Sequence, residues 1–136
     1  MSYNLFLDDI RHPYDCIRYM PSPGIYSKYD WKTVRNHDEF ISFITENGLP
    51  DLISFDHDLA DEHYNPDMYN GKEIYNKHYA EFKEKTGMDC AKWLVDYCID
   101  NKKELPDYVV HSMNPAGGEN IKLLLDQFKE FQHKNK

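Results

Sequence analysis

The sequence predicts a single α/β domain, a doubly wound parallel sheet of about four strands set between layers of helix. Three observations carry this. Short apolar runs, Leu5-Phe6-Leu7, Leu52-Ile53-Ser54-Phe55 and Tyr108-Val109-Val110, each give way at once to polar residues, the pattern of strands buried on both faces. Segments with helical spacing fall between those runs, as crossover units require. Finally, the 136 residues contain no internal repeat, low-complexity tract or linker, so 1–136 reads as one domain.

The elements follow in order. Trp31 to Arg35 alternates between apolar and polar residues and suits an edge strand. His37 to Asn47 gathers Phe40, Ile41, Phe43 and Ile44, carries Asp38 and Glu39 in its first turn, and is stopped by Gly48 and Pro50. Met88 to Lys102 places Ala91, Leu94, Val95, Cys98 and Ile99 at helical spacing, with Thr86 as its cap. Gly118 to His133 does the same with Ile121, Leu124, Leu125, Phe128 and Phe131. Residues 10–30 hold Pro13, Pro21, Pro23 and Gly24, so the first crossover is expected to be irregular, with little helix. Residues 60–86 form a long insertion after the third strand, partly helical from Lys72 to Lys85. It reads equally as a lid or as a solvated hairpin.

Composition narrows the class. The net charge of −8 argues against binding double-stranded nucleic acid, which calls for a basic face. No run of roughly 18 apolar residues is present to span a membrane, and the N-terminus lacks a basic stretch followed by an apolar one. Cys90 and Cys98, eight apart in one helix, cannot bridge each other, and Cys16 lies in a loop without a partner pattern. Together these point to a reducing, cytoplasmic setting.

Chemistry concentrates where strands end, because ligands of open parallel sheets sit beyond the carboxyl ends of the strands. Asp8-Asp9, Asp56-His57-Asp58 and His111-Ser112 each follow a strand. Converging carboxylates repel unless a cation lies among them, and hard oxygen donors favour Mg²⁺, Mn²⁺ or Ca²⁺. Asp8, Asp9 and Asp56 are the metal-ligand candidates. Asp58 fits a ligand, an acid/base group or a cap. His57 and His111 fit acid and base near neutral pH. Ser112, Asn114, Gly117 and Gly118 leave a strand and open a helix, so their donors are expected to cradle a phosphate. Arg11 pairs with the acids or reaches the phosphate. The remaining histidines show no metal-ligand spacing.

These residues resemble a receiver domain, with Asp8-Asp9 as the acidic pair, Asp56 at the phosphoacceptor position and Ser112 as the hydroxyl residue. The closer likeness is to the cyclic-phosphate processing receiver domains. It is carried by Leu7-Asp8-Asp9-Ile10-Arg11-His12-Pro13, Phe55-Asp56-His57-Asp58-Leu59, Thr86-Gly87-Met88-Asp89 and His111-Ser112-Met113-Asn114-Pro115-Ala116-Gly117. The resemblance implies a flavodoxin-like sheet of order 2-1-3-4 and a hydrolase using Mg²⁺ or Mn²⁺ on a cyclic nucleotide or a cyclic-phosphate RNA end. It adds Asp89 as a candidate, a residue that also suits a helix dipole. In that scheme His57 or Asp58 activates water, and His111 protonates the leaving ribose oxygen. Ser112 and the amides near Gly117 and Gly118 steady the charge on phosphorus, and tyrosines of the insertion stack on a base.

The likeness is to a variant rather than to a signalling receiver. A fifth strand with its lysine is not expected after the helix around Ile121 to Phe131, and His57, Asp58 and His111 are foreign to phosphorelay receivers. A receiver-like module that only binds or sequesters a phosphorylated ligand or protein needs the same residues and stands as the alternative. An aspartyl-phosphate phosphatase, read from Asp56-His57-Asp58, comes third. Substrate and oligomeric state are left open.

Overall fold

The computed structural model describes residues 2–20, 24–59 and 86–134. Four strands, β1 (Asn4–Leu7), β2 (Trp31–Val34), β3 (Leu52–Phe55) and β4 (Asp107–Val110), form one parallel sheet in the order β2-β1-β3-β4. This is the receiver-like order expected from the resemblance. A 3-10 helix (Pro13–Arg18) and α1 (Gly24–Lys28) follow β1, α2 (His37–Asn47) follows β2, α3 (Gly87–Asn101) precedes β4, and α4 (Pro115–Lys134) follows it. Except for Thr86, the expected insertion lies outside the described residues. No helix among the described residues is long and apolar enough to cross a membrane.

The central strands explain their own composition. Leu5, Phe6 and Leu7 are all fully buried because both faces of β1 are covered. Leu5, Leu7, Ile53 and Phe55 point into the main core with Phe40 and Ile44 of α2, Leu94 of α3, and Ile121 and Leu125 of α4. Phe6 points the other way, into a smaller cluster with Cys16 and Tyr26. Among the described residues the layers are therefore unequal: three long helices cover one face, while the Pro-rich first crossover gives the other two short ones. Cys16 belongs to the 3-10 helix rather than to an open loop, and all three cysteines are buried and free.

Helix ends follow their caps. Asn36 Oδ1 accepts the Glu39 amide at 2.9 Å to start α2, and Gly48 closes it at φ 83°. Thr86 and Asp89 form a reciprocal capping box at the start of α3. The last helix begins three residues ahead of the expected Gly118. Pro115 takes the first helical position, where its missing N–H costs nothing, and Asn114 Oδ1 accepts the Gly117 amide at 3.0 Å.

Candidate functional site

The sheet register brings three strand exits into line. Leu7 pairs with Phe55, and Phe55 with Val110. The ladder runs one residue further at each exit, through Asp56 N–H to the Leu7 carbonyl (3.0 Å) and His111 N–H to the Phe55 carbonyl (2.9 Å). Asp8, Asp56 and His111 are thus held at equivalent heights. One ligand atom from each lies within 4.8 Å of the others, and all three residues are buried.

Asp8 is the hub. Its Oδ1 accepts the amides of Ile10 (3.0 Å) and Arg11 (2.9 Å), which turns the chain sharply after β1. Its Oδ2 receives Arg11 Nη1 at 3.3 Å and His111 Nε2 at 3.0 Å. Burial works to raise the Asp8 pKa, but the His111 bond and the two backbone amides outweigh it and hold the carboxyl well below the usual range. Asp56 goes the other way. Its own burial, followed by the negative charge of Asp8, lifts it to about 8, although Arg11 and the His57 amide oppose the rise. Arg11 Nη1, 3.8 Å from Asp56 Oδ2, reaches across both carboxylates. Two buried acids this close hold one negative charge rather than two. A divalent cation would ionise both, and the donor set fits one.

A second cluster adjoins the first. His57 Nδ1 lies 2.8 Å from Asp58 Oδ1, and Asn114 Nδ2 reaches Asp58 Oδ2 at 3.3 Å. His57 Nε2 makes no hydrogen bond among the described residues, and its side chain is 12% exposed. Two glycines make this packing possible. A Cβ on Gly117 would lie 2.4 Å from His57 Cγ, and one on Gly87 would lie 1.7 Å from the Asp56 carbonyl oxygen. The N-terminal turns of α3 and α4 therefore press directly on the 56–57 segment, with the Gly87 amide donating to the His57 carbonyl at 2.7 Å.

His111 does not occupy the position expected of it. Protonating a leaving group requires an accessible ring nitrogen, and this ring is fully buried with both nitrogens engaged. Nε2 faces Asp8, Nδ1 lies 2.6 Å from Ser54 Oγ, and Ser54 Oγ is 2.8 Å from Tyr26 Oη. Phe6 stacks on the imidazole at 4.5 Å and 7°. Burial lowers the His111 pKa, against the opposing pull of Asp8.

The phosphate cradle expected at the start of α4 is also arranged differently. The Gly117 amide is taken by Asn114 Oδ1, the Gly118 amide by the Asn114 carbonyl, and Ser112 Oγ accepts the Asn114 amide at 3.1 Å. The two glycine amides serve the first turn of α4 because the helix starts early. Asp9 is half-buried and lies outside the group formed by Asp8, Asp56 and His111. Asp89 serves the capping box, accepting the Thr86 amide at 2.9 Å. A depression of about 250 Å³ beside Ser112, Asn114, Gly118 and Lys122 adjoins the site. A groove of about 810 Å³ lies at the opposite end of the sheet, by Tyr3, Lys32 and Asp51.

Four supporting residues had gone unnoticed. Arg35 Nη1 donates to the carbonyls of Asp8 (3.1 Å) and Arg11 (2.6 Å), and Tyr19 Oη donates to the His111 carbonyl (2.6 Å). Ser54 and Tyr26 are the others. Ser54, a hydroxyl inside an apolar strand, was a readable signal. Arg35, Tyr19 and Tyr26 left none.

No curated protein and no solved structure matches the chain significantly. The profile described as cyclic-phosphate processing Receiver domain matches residues 3–127. With the 2-1-3-4 sheet and the acidic strand exits in place over that whole span, the chain belongs to the family of cyclic-phosphate processing receiver domains.

Proposed function

We propose that the protein is a metal-dependent phosphoesterase that opens a cyclic phosphate, of a nucleotide or an RNA end. The observation that carries this reading is the His57–Asp58 pair standing beside the buried carboxylates of Asp8 and Asp56. Asp8 and Asp56 would hold Mg²⁺ or Mn²⁺, with Asp9 next to them at the same exit. Such an ion, when bound, supplies charge neutralisation at phosphorus and a more acidic water.

The chain's own residues account for the proton transfers. Asp58, steadied by Asn114, accepts the Nδ1 hydrogen of His57 and so presents Nε2 as the base. His57 Nε2 takes a proton from the attacking water as the new P–O bond forms. The ring P–O bond breaks, and the same imidazolium returns its proton to the leaving ribose oxygen. Arg11, which spans the two carboxylates, would meet a phosphate oxygen.

Incubation with cyclic mononucleotides, cyclic oligonucleotides and 2′,3′-cyclic RNA ends tests the proposal. Turnover is expected on at least one, abolished by EDTA and by Asp56→Ala. A second reading, a module that binds a phosphorylated ligand without turning it over, draws support from the near-complete burial of Asp8 and Asp56 beneath Arg11. Tight binding across the panel with no turnover would sink the enzyme and leave the binding module.

A further inference from the structure

We infer that Tyr26 and Ser54 are positioning residues for the cation site. Through a buried hydroxyl chain they fix His111 with its hydrogen on Nε2, where it holds Asp8. The inference rests on the proposed cation site and goes beyond it, because neither residue touches a ligand position.

The direction of the chain follows from its ends. Asp8 Oδ2 already receives Arg11 and is an ionised acceptor, so His111 Nε2, 3.0 Å away, carries hydrogen. A neutral imidazole then presents a lone pair at Nδ1. Ser54 Oγ, 2.6 Å from it, must donate. That leaves the Ser54 oxygen to accept the Tyr26 hydroxyl at 2.8 Å. Ser54 and His111 are fully buried and Tyr26 is 4% exposed, so water does not compete at any link. The opposite arrangement would set a bare Nε2 against a carboxylate oxygen and turn the Ser54 hydroxyl hydrogen away from the ring.

The ring plane is fixed as well. Phe6 stacks on His111, and Tyr26 packs edge-on to Phe6 and flat against Trp31 at 5.5 Å. The relay thus starts in the smaller core and ends at Asp8. One consequence concerns metal choice. His111 Nε2 is close enough to join Asp8 and Asp56 around an ion, yet with a hydrogen on it the nitrogen is not a ligand. The ion meets carboxylate oxygens, which suits Mg²⁺ or Mn²⁺ and disfavours Zn²⁺.

Long-range ¹H–¹⁵N spectra of the histidine rings in the metal-free protein, paired with Mn²⁺ titration, test this. Wild-type His111 is expected to show a protonated Nε2 and a bare, hydrogen-bonded Nδ1. Ser54→Ala should move the Nδ1 resonance toward that of an unbonded nitrogen and weaken Mn²⁺ binding about tenfold, as loss of an outer-shell partner does. Tyr26→Phe keeps the ring packing and should move the same resonance less far, though Tyr26 does not touch His111. Ser54→Thr should restore both readouts. A wild-type ring protonated on Nδ1 overturns the inference. So do ring spectra of both variants that superimpose on wild type, or shifted spectra with unchanged Mn²⁺ affinity. If wild type binds no Mn²⁺, the phosphoesterase reading fails, while the ring spectra still decide the direction of the relay.

Discussion

Gly117→Ala adds one methyl group at the contact between α4 and His57, and its effect can be worked out from distances. The new Cβ would lie 2.4 Å from Cγ, 2.5 Å from Cδ2 and 2.7 Å from Nδ1 of the His57 ring, where ordinary contact begins at 3.4 Å. The ring must therefore retreat by about 1 Å, since overlap this deep is steeply repulsive. Its Nδ1 bond to Asp58, now 2.8 Å, cannot survive that retreat with its geometry intact. Misplacing a catalytic group by this much costs on the order of 100-fold in rate. Helix stability should not suffer, because alanine is favoured over glycine inside a helix by up to about 1 kcal/mol. The assay is kcat on whichever cyclic phosphate the wild type turns over, alongside Mn²⁺ titration and thermal unfolding. The expected result is kcat lowered about 100-fold with Mn²⁺ affinity near wild type and a melting temperature lowered only by the overpacking at His57. Gly118→Ala is the control, because its Cβ meets Val110 Cγ1 at 3.3 Å and Ser112 Cβ at 3.6 Å and needs only slight adjustment. Wild-type kcat in Gly117→Ala would refute the role of the His57–Asp58 pair.

Three other outcomes follow from the same geometry. Arg11→Met removes the cation spanning Asp8 and Asp56 and should tighten Mn²⁺ binding about tenfold. This is well below the roughly 4 kcal/mol felt by unit charges 4 Å apart at an effective dielectric of 20, because Arg11 is partly solvated. Calorimetry reads it, and weaker Mn²⁺ binding would count against the bridging role. The pH dependence of stability has a definite sign. Native Asp56 keeps its proton up to about 8 while the unfolded chain releases it near 3.8, so the metal-free protein loses stability as pH rises through that window. The depressed Asp8 acts below the window, losing its contribution as pH falls beneath the ordinary carboxylate value. The lowered His111 opposes this trend below about 6.5, so melting temperature in EDTA should fall between pH 7 and pH 8, and Mn²⁺ should raise it more at pH 8; a flat profile there speaks against the buried acid pair. Gly87→Ala places a Cβ 1.7 Å from the Asp56 carbonyl oxygen, a backbone atom that cannot swing aside. It should cost about 3 kcal/mol or more in denaturant unfolding, and a near-neutral effect would show that α3 is not seated on that segment.

The parts of this architecture that were legible in the sequence are those set by local rules. Burial on both faces makes central parallel strands read as continuous apolar runs, so Leu5–Leu7 and Leu52–Phe55 stood out, and the acids that follow them marked the functional end. Asn36 and Thr86 announced their helices through capping chemistry. The start of α4 was also local, since Asn114-Pro115 is a cap followed by a proline at the first helical position. The Gly117-Gly118 pair concealed it by reading as loop. What sequence could not supply was pairing across the fold. Asp8 and His111 are 103 residues apart, and Ser54 and His111 are 57 apart. Nothing local to His111 states that both its nitrogens are spoken for. A histidine at a strand exit therefore looked like an acid when its neighbours make it a brace.

The bond from Gly87 N–H to the His57 carbonyl bears on how such proteins diversify. The chain leaves the sheet at Asp56–His57 and returns, at Thr86–Gly87, within 2.7 Å of where it left. Whatever length of chain is strung between those two points, its ends are already joined by a contact that belongs to the scaffold. For a flexible closed segment, each doubling of length costs only about 0.6 kcal/mol. The acid pair and the His57–Asp58 couple are held by contacts among the described residues, outside 60–85.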